Sequence, residues 1–382
     1  MAVAGLFFRF YCVAAALFAI VSPAMSESRA DDDQGIAALI TAEISHILPQ
    51  DGHGGLAVVV RVNGRTLFFN FGMADDVRRV TSDLLFNLGS VGKVFDAALL
   101  ALADQQGDLS LDDPVSRHVV ELQKGGDIRR ITLRQLASYT SGFVLPQDHP
   151  PWPEETFTLP AFVAKLKAWE ADEQHQPGRQ IIYSHAGYVL IHLALARRFG
   201  MPFDALMRKR LLDPLGLAST TLPVTSPDPE RNPRGEIPQA LARRAVQGFL
   251  ADGTPYGQPG DLQGYYHWFG TGQMYASARD MAVFLMAGLG ELPDHAMLQS
   301  AMQRAQQGLF PIKPGVDQAM AWEVHKTADG PIIVDKYGGL NNASAYIGMV
   351  RARKTGIVIL GNRGSLNIAE AGRKVLLTLA GR

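Results

Sequence analysis

The sequence predicts an α/β (α+β) fold. A central antiparallel sheet is built from strands at both ends of the chain, flanked by helices, and interrupted by an inserted, mostly helical subdomain. Three observations lead there. Near the N-terminus two strand-like runs, Leu56 to Val62 and Thr66 to Phe71, are separated by Asn63-Gly64, the strongest short hairpin signal a sequence offers. Near the C-terminus Pro331 to Lys336, Ala343 to Val350 and Gly356 to Gly361 alternate or run apolar, with turns between them. Between about residues 90 and 300 apolar residues recur instead at helical spacing. The sheet is therefore assigned to about 55–72 and 331–361, around a helical middle.

Taken in order, the chain opens with Leu6-Phe7-Phe8-Arg9, an apolar run from Phe10 to Ile20, and the small residues of Ser22-Pro23-Ala24. This pattern reads as a secretory signal over residues 1–24, leaving 25–382 as the folded part. Cys12, the only cysteine, falls inside that leader, so thiol catalysis and cysteine-ligated metals are excluded from the remainder. No other stretch is long and apolar enough to span a membrane, so none is expected to hold the chain there after cleavage. The net charge is −1, and pairs such as Arg78-Arg79, Arg129-Arg130 and Arg243-Arg244 are scattered rather than grouped. Nothing in that balance favours a nucleic-acid partner.

Ile36 to Leu48 has helical periodicity and is broken by Gly52-His53-Gly54-Gly55. The hairpin runs after it are apolar at nearly every position, which predicts strands covered on both faces. Val91, Phe95, Ala98, Leu99 and Leu102, with Gly107 as a stop, predict a helix from Ser90 to Gln106. Further helices are expected over Thr132 to Tyr139, Leu159 to Trp169 and Tyr188 to Phe199. The proline-rich stretch 223–238 and the glycine-rich stretch 252–264 are long loops, with Tyr265, Tyr266, Trp268 and Phe269 beside the second as core or pocket rim. Ser277-Ala278-Arg279-Asp280 reads as a capping box before the stripe Met281, Phe284, Leu285 and Leu289, and Leu366 to Ala380 is an amphipathic closing helix.

The chemistry centres on Ser90 and Lys93. Residues three apart share a helix face, so the hydroxyl and the amine can approach each other. A serine is a weak nucleophile until a neighbouring base takes its proton. The pattern S-x-x-K alone does not decide, because a serine at a helix start also serves as a plain N-cap. His149, His175, His192, His267 and His295 show no metal-ligand spacing, and no metal or cofactor is expected.

With Ser90-Val91-Gly92-Lys93, Tyr183-Ser184-His185 and Lys336-Tyr337-Gly338 in this order, the chain resembles the class C serine β-lactamases and the wider group of penicillin-recognising serine hydrolases. The family pattern is S-x-x-K, Y-x-N, then K-T-G opening a strand. The flanking stretches Leu136-Ala137-Ser138-Tyr139-Thr140-Ser141-Gly142, Asp213-Pro214-Leu215-Gly216-Leu217 and Gly356 to Asn362 agree as well. The resemblance covers nearly the whole chain after the leader. It implies a β-lactamase/transpeptidase-like fold in which Ser90 attacks a carbonyl, Lys93 and Tyr183 move the proton, and water releases the acyl-enzyme. The oxyanion would lie between the backbone amides of Ser90 and Gly339, Lys336 would attract a substrate carboxylate, and Gln147 and Asn341 would contact substrate.

The resemblance further implies a periplasmic, monomeric hydrolase of penicillins or cephalosporins, its partner a small β-lactam or a D-alanine-containing peptide. The same apparatus also serves D-alanyl peptidases and esterases, and a homologue that stays acylated would be a penicillin-binding sensor or an inactive relative. Two positions depart from the pattern. His185 stands where the family has asparagine, and predicts a step that depends on pH near about 6 to 7. Tyr337 stands where the family has a threonine that helps hold the substrate carboxylate. Lys354-Thr355-Gly356 is a literal K-T-G but is read as a surface turn between strands, and Asn342-Ala343-Ser344, a glycosylation sequon in form, as part of a strand near the site.

Overall fold

The computed structural model describes residues 23–144, 159–224, 236–260, 273–326 and 330–381. Eight strands form one antiparallel sheet: β1 (Gly55–Val62), β2 (Arg65–Gly72), β5 (Phe310–Lys313), β6 (Val316–Gln318), β7 (Glu323–His325), β8 (Ile333–Leu340), β9 (Ala343–Val350) and β10 (Thr355–Gly361). Their order is β2-β1-β10-β9-β8-β7-β6-β5, while β3 (Leu85–Asn87) and β4 (Tyr275–Ser277) pair separately. The two chain ends meet where β1 lies between β2 and β10, with Val58 opposite Ile359. Asn63 and Gly64 turn the first hairpin with φ of 50° and 72°, the positive pair that a two-residue type I′ turn demands.

The helices are α1 (Pro23–Ser45), α2 (Lys93–Gln105), α3 (Leu133–Ala137), α4 (Leu159–Lys167), α5 (His185–Phe199), α6 (Phe203–Met207), α7 (Gln239–Ala242), α8 (Ala278–Leu289), α9 (Ala296–Ala305) and α10 (Ile368–Ala380). Strand alternation sorts the core into two layers. Leu56, Val58 and Val60 of β1, with Ile357 and Ile359 of β10, meet Ile36, Ile40 and Ile44 of α1 and Val375, Leu376 and Leu379 of α10. Ala57, Val59, Val358 and Leu360 point the other way, into the larger core with α2, α5, α8 and α9. Ser277 caps α8 by accepting from the Asp280 amide, and Thr132 and Gln135 form a full capping box on α3.

Two expectations need correction. β1 is buried along nearly all its length, but β2 is the edge strand and only half-buried, so it lacks the second cover its apolar residues suggested. The C-terminal half of the sheet also starts earlier, because β5, β6 and β7 extend it from residue 310. Strands of three or four residues such as Val316-Asp317-Gln318 show no period of their own and are held by their neighbours. The proposed leader lies almost wholly outside the described residues. No helix among them is long and apolar enough to cross a membrane.

A buried ionic cluster ties α10 to the sheet. Asp335 of β8 accepts from Arg373 Nε at 2.5 Å and from the Tyr346 hydroxyl at 2.9 Å. His325 Nε2 lies 3.1 Å from Asp335 and 3.3 Å from Glu323. These hydrogen bonds, Asp335 first, raise the His325 pKa to about 9 against the opposing effects of burial and the Arg373 cation. Glu323, His325 and Asp335 are close enough to hold a metal ion, but Arg373 and the imidazolium already supply the positive charge. Because the folded pKa is raised, the stabilisation is complete below 6.5 and is lost as pH rises towards 9. Its size, discounted for solvent screening of a half-buried group, is about 1–2 kcal/mol. Urea unfolding of the parent and His325→Gln should therefore differ by that amount at pH 6 and converge above pH 9; a constant difference would refute the assignment.

Candidate active site

Ser90's setting is created by a tight turn. Ser90 lies in a 3₁₀ segment, Gly89–Gly92, and α2 begins only at Lys93, which corrects the single α-helix expected from Ser90. Side chains three apart eclipse in a 3₁₀ turn. Lys93 Nζ accordingly reaches Ser90 Oγ at 3.3 Å and is fully buried. Ser90 does not act as an N-cap here: the cap positions of this segment make no side-chain hydrogen bond, and its hydroxyl lies 2.5 Å from the Tyr183 hydroxyl.

Tyr183 and His185 flank a helix cap. Ser184 has extended backbone and accepts from the Gly187 amide, so α5 starts at His185, three residues before the expected Tyr188. The residue before the cap and the first residue of the helix then both face Ser90's turn. His185 Nδ1 is 3.4 Å from Lys93 Nζ, and its ring stands edge-on to Tyr183 at 5.1 Å. The segment is pinned from behind where the Ile182 amide donates to the Tyr139 carbonyl at 2.8 Å.

The third part comes from β8. Lys336 and Gly338 project to the face of the larger core, whereas Asp335, Tyr337 and Gly339 belong to the α10 face. β7 pairs with β8 only over Ile333 to Asp335, so from Lys336 onward that edge has no strand partner among the described residues. Gly338 packs directly on Ser90's turn: a Cβ there would stand 2.3 Å from the Leu88 carbonyl oxygen and 2.8 Å from the Ser90 amide nitrogen. Gly89, with φ +48°, would place a Cβ 3.1 Å from the Gly339 amide nitrogen. The Ser90 and Gly339 amides are thereby brought to one place.

Two cations converge on one phenol. Lys93 Nζ and Lys336 Nζ lie 5.4 Å and 5.3 Å from the Tyr183 ring centre. Burial pushes the Tyr183 hydroxyl up, but Lys93, Lys336 and the hydrogen bonds from Ser90 and Lys93 outweigh it and bring the net pKa below the phenol's usual 10. The residue is 37% exposed, so its hydroxyl lies among the lysines while one side stays open. Burial lowers the Lys336 pKa, with Lys93 adding to the effect and Tyr183 opposing it.

Tyr139, which the sequence marked only as part of a flanking stretch, completes the group. Its hydroxyl accepts from Lys336 Nζ at 3.5 Å, and its ring lies 4.7 Å from that of Tyr183. It is buried and has φ +57°, a strained conformation for a non-glycine residue that no spacing pattern reveals. The other expected residues are placed differently. The Tyr337 side chain, 42% exposed, lies over Gly339, its hydroxyl 2.6 Å from where a Cβ on that glycine would be. Asn341 is exposed in the β8–β9 turn, and Asn342 is buried beside it. Gln147, His149, His267 and the aromatic group Tyr265 to Phe269 lie outside the described residues. Lys354 has φ +48° just before β10 and donates to the Leu289 carbonyl at 2.6 Å, closing the C-terminus of α8. His175 pairs with Asp172 at the surface, and His192 is core.

The two glycines of β8 should differ in tolerance. Gly338→Ala drives a methyl into fixed backbone and should cost about 2–3 kcal/mol, whereas Gly339→Ala displaces only the tip of Tyr337 and should cost less than about 1 kcal/mol. Thermal unfolding of both variants checks this; equal losses would refute the packing described.

The sequence model of the family described as "Beta-lactamase" matches residues 34–381. A "Beta-lactamase" of Pseudomonas fluorescens is 26% identical over 365 residues, covering 87% of this chain and 95% of that protein. One of Yersinia enterocolitica is 27% identical over 372 residues, covering 87% and 88%. Among solved structures, a class C beta lactamase from Rhodobacter sphaeroides superposes with a TM-score of 0.75 at 26% identity, over 89% of this chain and 98% of that one. A "Beta-Lactamase/D-Alanine Carboxypeptidase" from Pseudomonas syringae gives 0.76 at 24% identity, over 91% and 98%. The fold is thus that of the β-lactamase/transpeptidase group, and with a family match across almost the entire chain, this protein belongs to the beta-lactamase family.

Proposed function

We propose that the chain is a serine hydrolase that opens the β-lactam ring of penicillins and cephalosporins through an acyl-serine. The observation that carries this reading is the 2.5 Å approach of the Ser90 and Tyr183 hydroxyls, with Lys93 Nζ 3.3 Å from the same serine oxygen. A phenol held below its usual pKa by two lysines gives up its proton more readily and can then serve as the base. Tyr183 takes the Ser90 proton as Oγ attacks the lactam carbonyl, and the charge on the carbonyl oxygen is met by the Ser90 and Gly339 amides. As the ring C–N bond breaks, that proton passes to the departing nitrogen. Tyr183 then takes a proton from water, whose oxygen attacks the ester carbonyl, and Ser90 regains a proton as it leaves.

Lys336 serves two purposes in this scheme. It lowers the phenol's proton affinity, and its ammonium attracts the substrate carboxylate. Residues 1–24 act as the leader that delivers the enzyme to the periplasm, where N-terminal sequencing of the exported protein would find cleavage near Ala24. D-alanyl peptidase or esterase activity is the second reading. It is favoured by His185 against Lys93, where a ring replaces the family's amide, and by the likeness to the Pseudomonas syringae enzyme.

Purified protein assayed with a chromogenic cephalosporin, a D-Ala-D-Ala peptide and a p-nitrophenyl ester tests both readings. Sustained cephalosporin turnover supports the first, and turnover confined to peptide or ester the second. A burst of one equivalent with no turnover would mark a penicillin-binding sensor and sink the hydrolase. Lys336→Ala should lower kcat/KM at least about 100-fold, while Lys354→Ala should stay within about 2-fold, since its amine closes a remote helix end. Replacing His185 with asparagine should flatten the pH–rate profile between about pH 6 and 7, the ordinary imidazole range; an unchanged profile would remove His185 from the proton path.

A further inference from the structure

The α2–α5 interface carries two polar rungs in an otherwise apolar contact. The first joins Lys93 to His185 at 3.4 Å. The second, three residues further along α2 and seven along α5, sets Asp96 Oδ2 3.1 Å from His192 Nε2. Asp96 is 1% exposed and His192 3%, and the imidazole is stacked on Phe203 of α6 at 3.5 Å. Neither carboxylate oxygen has a well-aligned hydrogen bond, so a charge-bearing group is held in the core with one neighbour of matching polarity. That is costly unless the charge is used or balanced.

The groups facing Asp96 show how it is balanced. On its own helix, one turn back, stands Lys93. From α5 come His192 and Tyr188, whose ring centre lies 5.7 Å from Lys93 Nζ; from the segment after α3 comes Tyr139, its ring 5.5 Å from that of Tyr188. The field of Asp96 is felt there: burial pushes the Tyr188 hydroxyl well above its usual range, and the Asp96 carboxylate pushes it further. The same carboxylate adds to the rise at Tyr139, after burial and the neighbouring tyrosines. On the far side of these rings lie Tyr183 and Lys336. The site thus gathers two lysines: Asp96 is the carboxylate buried one helical turn from Lys93, while Glu323 and Asp335 act on Lys336.

We propose that Asp96, buried opposite His192, is a positioning residue whose carboxylate retains the protons of the Lys93–Tyr183 pair and so sets the pH at which Ser90 is activated. The proposal rests on the serine-hydrolase reading above. Removing a negative charge eases loss of a proton from every group nearby. Asp96→Asn, nearly isosteric, should therefore move the acidic limb of kcat/KM for a chromogenic cephalosporin down by about half to one pH unit, the size expected of one charge at roughly 10 Å in a protein interior. Asp96→Glu should restore most of the parent position. His192→Gln, which keeps the carboxylate beside a neutral donor, should leave the limb within about 0.2 unit.

A limb unmoved in Asp96→Asn, or one moved upward by His192→Gln as removal of an imidazolium would do, overturns the proposal. Should the protein hydrolyse no cephalosporin at all, the Tyr183 titration followed by ¹³C-tyrosine NMR in the same full-length variants reads the same shift. A downward shift there supports the electrostatic role even though the hydrolase reading has failed, and no shift removes it. If Asp96→Asn does not fold, Asp96→Ser carries the same test: a limb moved down supports the proposal, and one that stays in place overturns it.

Discussion

Everything in this site depends on keeping two ammonium groups near one phenol inside a protein core. Burial lowers the Lys336 pKa, and the like charge of Lys93 adds to that effect. The phenol's hydroxyl lies between them and can take up negative charge there. Tyr183 is held below its usual pKa while Tyr188 and Tyr139, buried nearby, are pushed well above theirs. Burial pushes all three tyrosines up, and only at Tyr183 do the two lysines and the neighbouring hydrogen bonds outweigh it.

The surrounding fold can be understood as what that arrangement requires. Lys93 arrives on α2, Tyr183 on the approach to α5 and Lys336 on β8, three elements far apart in the chain. Their common meeting point is the short turn at Ser90, pressed against β8 so closely that only glycine fits at position 338. Backbone laid on backbone leaves little freedom for either element to shift, so the amides and the hydroxyl keep their relative positions. The opposite face of β8 is anchored as firmly, since Asp335, one residue before Lys336, is locked to Arg373 of α10. The catalytic strand is therefore fixed from both sides, by packing on one and by charge on the other.

His185 and Tyr337, the two departures from the family pattern, fall on different sides of this strand. His185 joins the group around Ser90 through Lys93, 3.4 Å from its ring nitrogen. Tyr337 lies over Gly339 on the α10 face, so its bulk bears on the strand edge rather than on the lysines. They are separate changes in separate places: one sets an imidazole beside Lys93, the other a phenol over the Gly339 backbone.

Elements with local signals were legible in the residues alone. The Asn63-Gly64 hairpin, the capped helices at Thr132 and Ser277, and the C-terminal strands each carry their own turn chemistry or period, and each is found where it was expected. The ordered motifs around Ser90, Tyr183 and Lys336 marked side chains that the fold brings within reach of one another. Packing between distant segments settled the rest. The edge position of β2 and the short strands β5 to β7 depend on neighbours, not on pattern. Tyr139's strained backbone, the facing of Asp96 by His192, and the bare glycine contact at position 338 exist only between segments far apart in sequence, where distance and burial, rather than residue type, set what a group does.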